Sequence, residues 1–173
     1  VRDQMYTYLL DTYKENDLVY DTYAKRKLES QMAYHGNFKP YFENIADSLK
    51  RYSSQRDKQK GEAFVHGFTL AMTSQNQFYR PISELDNDGG YADIFLAPLC
   101  DSYKDMKDSY IIELKYCKSN STDEQLKQLF AEASAQISRY ADSDLVRELV
   151  KTTQLHKLVV IYQGAEMATC EEV

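Results

Sequence analysis

The chain has 173 residues, 28% charged and 43% hydrophobic, with a formal net charge of −6. That length suits one domain, or one domain with an appendage, and the charged fraction argues against wholesale disorder. No run approaches the roughly 18 apolar residues of a membrane span; three scattered cysteines (Cys100, Cys117, Cys170) are too few for a disulfide framework or a zinc site, which points to a reducing, cytoplasmic setting.

Apolar spacing predicts helices over residues 1–14, 18–34 and 39–52. The first repeats Met5, Leu9, Leu10 and Tyr13. The second repeats Tyr20, Tyr23, Ala24, Leu28 and Met32, and His35-Gly36-Asn37 closes it. The third carries Pro40 in its first turn, where a missing N–H costs little, and buries Tyr41, Phe42, Ile45, Leu49 and Tyr52. Residues 53–60 are polar and read as a connector. Residues 61–74 read as a helix packed by Phe64, Phe68, Leu70 and Ala71, and residues 78–85 as a strand. Asp86-Asn87-Asp88-Gly89-Gly90 is a turn sequence. Strands follow at 91–99 and 109–116. A helix follows at 122–140, with Thr122 as its N-cap and Gln125 three residues on. A short helix near 144–151 leads to a strand at 155–163, apolar on both faces as a central strand is. The expectation is a helical lead over 1–60, then an α/β domain over 61–173 built as helix, three strands, helix, strand. The chain begins at Val1 with neither an initiator Met nor a signal pattern and reads as a fragment of something longer.

Charge is spread unevenly. Residues 1–60 hold 11 basic and 9 acidic side chains, residues 61–173 hold 10 and 18. An acidic balance is not the footprint of a phosphate-backbone binder, so the positions of the carboxylates matter more than their number. In Ile111-Ile112-Glu113-Leu114-Lys115 two charges interrupt an apolar strand, and strand alternation points Glu113 and Lys115 to one face. Asp93 likewise sits among Ala92, Ile94 and Phe95. If the two strands form a hairpin whose loop is centred on Tyr103, Asp93 and Glu113 face each other at about 5 Å. Carboxylates that close repel unless a cation joins them, and hard oxygen ligands of this kind suit Mg²⁺ or Mn²⁺. Lys115 is placed to orient or deprotonate a metal-bound water, or to stabilise developing phosphate charge.

Asp93 followed by Glu113-x-Lys115, in this order of elements, resembles the core motif of the PD-(D/E)XK nuclease superfamily. Gly61-Glu62-Ala63-Phe64-Val65-His66, Ser83-Glu84, Gly90-Tyr91-Ala92-Asp93-Ile94 and Ile111-Ile112-Glu113-Leu114-Lys115 resemble one branch more closely, the C-terminal nuclease-like domain fused to bacterial AAA-ATPase-like proteins. The resemblance covers roughly residues 61–167. It implies a restriction-endonuclease-like core and a DNA substrate. It implies a metal site of Asp93, Glu113 and the helix residue Glu62, with Lys115 as the water-positioning group. Gln136, with Tyr140 four residues on, matches a Q-x-x-x-Y pattern and is expected to orient the site. An ATPase region of the same protein and a second copy of the chain are the expected protein partners. Tyr91 stands where that branch commonly carries a basic residue, which motivates the alternative of an inactive, nuclease-like interaction module. Glu84 serves either beside the site or as a strand-end charge.

Other features read as structural. His66 follows Glu62 by one turn and reads as a hydrogen-bonded or surface group; His35 and His156 carry no motif. A calcium loop starting at Asp86 would need Glu where Ala97 stands. No Gly-Lys-Ser/Thr phosphate loop is present in these residues. The 15 tyrosines against no tryptophan raise base stacking, but their helical spacing in residues 1–60 favours packing.

Overall fold

The structure, a computed structural model, describes residues 22–52, 61–87 and 90–173. The helix expected over 1–14, the start of the next, the connector over 53–60 and Asp88-Gly89 of the turn lie outside the described residues. Helix α1 (Thr22–His35) and helix α2 (Lys39–Tyr52) form where the spacing places them. Gly36 joins them at φ 64°, a backbone state disfavoured for residues with a Cβ. Helix α2 turns Tyr41, Phe42, Ile45 and Leu49 inward, and α1 adds Met32 and Ala33, all buried. Helix α3 (Glu62–Thr73) buries Val65 and packs Phe64 and Phe68 on the same core.

Five strands follow: β1 (Tyr79–Asn87), β2 (Gly90–Pro98), β3 (Asp108–Cys117), β4 (Gln154–Gln163) and β5 (Glu166–Glu172). They form one sheet in sequence order. All pairs are antiparallel except β3 with β4, which is parallel. A parallel pair requires a crossover, and helices α4 (Asp123–Ala141) and α5 (Asp144–Val150) supply it. Helix α4 opens with a capping box: Gln125 N donates to Thr122 Oγ1 at 3.3 Å and Thr122 N donates to Gln125 Oε1 at 2.9 Å.

The sheet separates two apolar layers. Ile94, Leu96, Tyr110, Ile112, Leu114, Leu158, Val160 and Tyr162 face α1, α2 and α3. Phe95, Ala97, Ile111, Val159 and Ile161 face α4 and α5. Strands β3 and β4 are therefore covered on both sides, which is why they read as continuous apolar runs. Tyr41, Tyr79, Tyr110 and Tyr162 are among the largest fully buried side chains, whereas Tyr23, which the spacing placed on the apolar face of α1, is 81% exposed.

The mixed sheet flanked by helices, behind an N-terminal helical region, is consistent with the restriction-endonuclease-like core that the motifs imply. One element is added to the expected order. In β5 only Cys170 is buried, so the segment carries too little apolar signal to read as a strand, as is common at a sheet edge. Among the described residues no helix is long and apolar enough to cross a membrane.

Candidate active site

The hairpin of β2 and β3 sets the geometry. Ile94 pairs with Ile112, Phe95 with Ile111 and Leu96 with Tyr110, the register that a loop centred on Tyr103 requires. The ladder stops at Ile94. Asp93 and Glu113, next in register, do not stand as an opposed ladder pair as the alternation predicts. Instead the Asp93 carboxylate reaches along β3, and Leu114 N donates to its Oδ2 at 2.7 Å. A side chain thus takes over from the backbone ladder where the strands part.

Glu113 and Lys115 occupy alternate positions of β3, as strand periodicity places them. Lys115 Nζ donates to Glu113 Oε1 at 2.8 Å, with the two side chains 18% and 4% exposed. The second oxygen of Glu113, Oε2, is buried without a hydrogen-bond partner among the described residues. Burial pushes the Glu113 carboxyl up to about 7; the Lys115 hydrogen bond pulls it down, while the negative charges of Asp93 and Glu62 raise it further. Burial lowers the Lys115 ammonium, but the hydrogen bond to Glu113 and the charges of Glu113, Asp93 and Glu62 outweigh this and leave it raised. Lys115 is thereby a cation at neutral pH, and its hydrogens are what it offers to Glu113, against the expectation that it could deprotonate a water.

Glu62 opens α3 and is exposed. Glu62, Ala63, His66, Asp93 and Leu114 line one recess of about 420 Å³. His66, one helical turn after Glu62, donates from Nε2 to the backbone oxygen of Asp93 at 3.0 Å. The structure thus gathers Glu62 and Asp93 around the recess and couples them electrostatically to the Glu113–Lys115 pair on β3. Gln136 is not among the residues that line the recess. It lies half-buried on α4, with its Oε1 buried and unpartnered among the described residues. Tyr140 is buried in the α4 core. The side chains of Glu84 and Tyr91 lie outside the described residues.

Do these residues fit a divalent cation? Among the described residues no three His, Cys, Asp or Glu side chains are grouped as a ready-made cage, because Glu113 is turned onto Lys115 and Asp93 onto the Leu114 amide. The donor chemistry nevertheless fits. The carboxylates are hard oxygen donors, Oε2 of Glu113 is a buried acceptor lacking a partner, and the mutual repulsion of three acids is what a 2+ ion relieves. His66 is a hydrogen-bonded group, one of the two states expected of it, but its partner, the Asp93 backbone oxygen, depends on how α3 lies across β2 and was not legible from its spacing to Glu62.

A family model described as the PD-(D/E)XK nuclease superfamily matches residues 60–172. No curated protein and no solved structure gives a significant match.

Proposed function

The chain belongs to the PD-(D/E)XK nuclease superfamily, and from that premise we propose that it is a metal-dependent nuclease domain hydrolysing DNA phosphodiester bonds. The superfamily's members generally depend on a divalent metal. The observation that carries the reading is Asp93, pinned to the Leu114 amide beside a buried Glu113–Lys115 pair that retains one partnerless carboxylate oxygen.

In this reading Asp93, Glu113 and Glu62 hold Mg²⁺ or Mn²⁺. The ion, when bound, supplies Lewis-acid polarisation of the phosphate and a bound water of lowered pKa. The other roles belong to the chain. Lys115, held protonated by its acidic surroundings, donates to the attacking water or to a phosphate oxygen. The Leu114 amide fixes the Asp93 carboxylate so that little reorganisation is needed. Gln136, with an Oε1 on α4 that is buried and unpartnered among the described residues, orients the neighbourhood of the site. An ATPase region and a second copy of the chain are its proposed protein partners.

The test is cleavage of supercoiled plasmid with Mg²⁺ or Mn²⁺. Wild type is expected to nick it, and EDTA to stop the reaction. Lys115→Ala and Glu113→Gln are each expected to cost at least about 100-fold, the scale of removing one electrostatic contact to a developing charge. Equal background cleavage by wild type and Lys115→Ala overturns the catalytic reading. It would favour the non-cleaving interaction module, which the acidic balance of residues 61–173 also supports.

A further inference from the structure

We infer that His66 is a positioning residue, which fixes Asp93 from the helix side and so sets the geometry of the carboxylate site. Two polar contacts meet at Asp93 where the β2–β3 ladder ends. Leu114 N holds its carboxylate at 2.7 Å, and His66 Nε2 holds its backbone oxygen at 3.0 Å. The first bond ties β2 to β3, and the second ties β2 to α3, so the three elements bearing Glu62, Asp93 and Glu113 are joined at one residue. Around Asp93, β2 is still paired with β1, but its β3 side has lost the ladder, and there the two contacts hold the carboxylate, as the closely set geometry of a metal ligand requires. Helix α3 is packed on the core through Val65 and Thr69, both buried, on either side of His66. Its first turn opens from Gly61 at φ 61° with no side-chain cap, and the His66 bond adds to the apolar packing of Phe64 and Val65 a polar tie from the turn after Glu62 to β2. A backbone oxygen only accepts, so the ring must carry hydrogen on Nε2. That ring nitrogen is thus committed to the backbone and is not a metal ligand.

This inference rests on the metal-dependent reading above. Its test is titration of the purified chain with Mn²⁺ by isothermal calorimetry, with thermal melting alongside. Wild type is expected to bind Mn²⁺ and Asp93→Asn to lose it; absence of binding by wild type would defeat the metal-dependent reading itself. Given that baseline, His66→Ala is expected to weaken Mn²⁺ binding roughly 10- to 100-fold, the range for a residue that orients a ligand, while remaining folded. His66→Gln, whose amide donates to the same carbonyl, is expected to recover most of the loss. His66→Asn, too short to reach, replaces the alanine variant should that fail to fold, and is expected to weaken binding as alanine does. Unchanged affinity in His66→Ala or His66→Asn overturns the inference while leaving the metal site intact. So does a folded His66→Gln that recovers nothing, since the ring would then be a ligand or a space filler.

Discussion

Glu113 is 3% exposed and still ionisable, and that conflict has a measurable consequence. Its carboxyl titrates at about 7 in the folded chain against 4.5 as the ordinary value, chiefly through burial. A raised acid favours the fold while protonated. Its contribution is fully present below pH 4.5 and is lost as pH rises through about 7. Glu113→Gln has no such titration. The stability difference between wild type and Glu113→Gln, measured by urea unfolding in EDTA, is therefore expected to shift against wild type between pH 5 and 8. The shift is on the order of 2 kcal/mol, allowing for solvent screening. A difference independent of pH would mean that Lys115 alone satisfies the carboxylate. Addition of Mn²⁺ at pH 8 is expected to restore wild type and leave Glu113→Gln unchanged.

Among the secondary-structure elements, the end of the sheet away from the carboxylates is held by a second polar cluster. Asp108, at the start of β3, accepts from Gly36 N at 2.9 Å through Oδ2, and its Oδ1 lies 2.9 Å from His156 Nε2. His156 on β4 contacts Glu172 Oε1 on β5 through Nδ1 at 2.8 Å, and its ring stacks on Tyr110 at 5.1 Å. One imidazole thus links the α1–α2 turn, two central strands and the edge strand. His156→Leu is expected to cost about 3 kcal/mol in urea unfolding, because it strips a partner from the buried Asp108. A loss below about 1 kcal/mol would mark the cluster as dispensable. None of this was legible from residue order: His156 sits in an apolar strand, and Asp108 and Glu172 are 48 and 16 residues away from it. What was legible had short-range causes. The Thr122–Gln125 box announced α4, and the midpoint at Tyr103 set the hairpin register. The carboxylates stood out because charge inside an apolar strand is costly without a reason. The turn of Asp93 toward Leu114, the His66 bond and strand β5 were not legible, since each depends on how neighbouring elements pack.

At the scale of the molecule, the question is whether the first helices belong to the core that carries the site. Met32, Tyr41, Phe42, Ile45 and Leu49 are buried in the layer that also holds Ile112, Leu114 and Tyr162. Lys107 N, just before β3, donates to Ala33 O at 3.0 Å and Tyr110 Oη donates to Met32 O at 2.8 Å, so hydrogen bonds to the α1 backbone as well as apolar contacts join α1 to β3. Burial of a large apolar side chain contributes about 2 kcal/mol, so these five residues represent about 10 kcal/mol. That is comparable to the whole stability of a domain, about 5–15 kcal/mol. A chain beginning at residue 61 would keep every proposed site residue and yet expose one face of β3 and β4 to water. It is therefore expected to aggregate, or to lose near-UV circular dichroism and cooperative unfolding, and to bind no Mn²⁺. A chain beginning at residue 22 is expected to keep all three properties. Cooperative unfolding of the 61–173 piece with wild-type Mn²⁺ affinity would show that the helices are an appendage. Loss of both would show that a nuclease-like sheet here needs α1 and α2 as its second layer, which explains why the strand bearing Glu113 is apolar on the face opposite its charges.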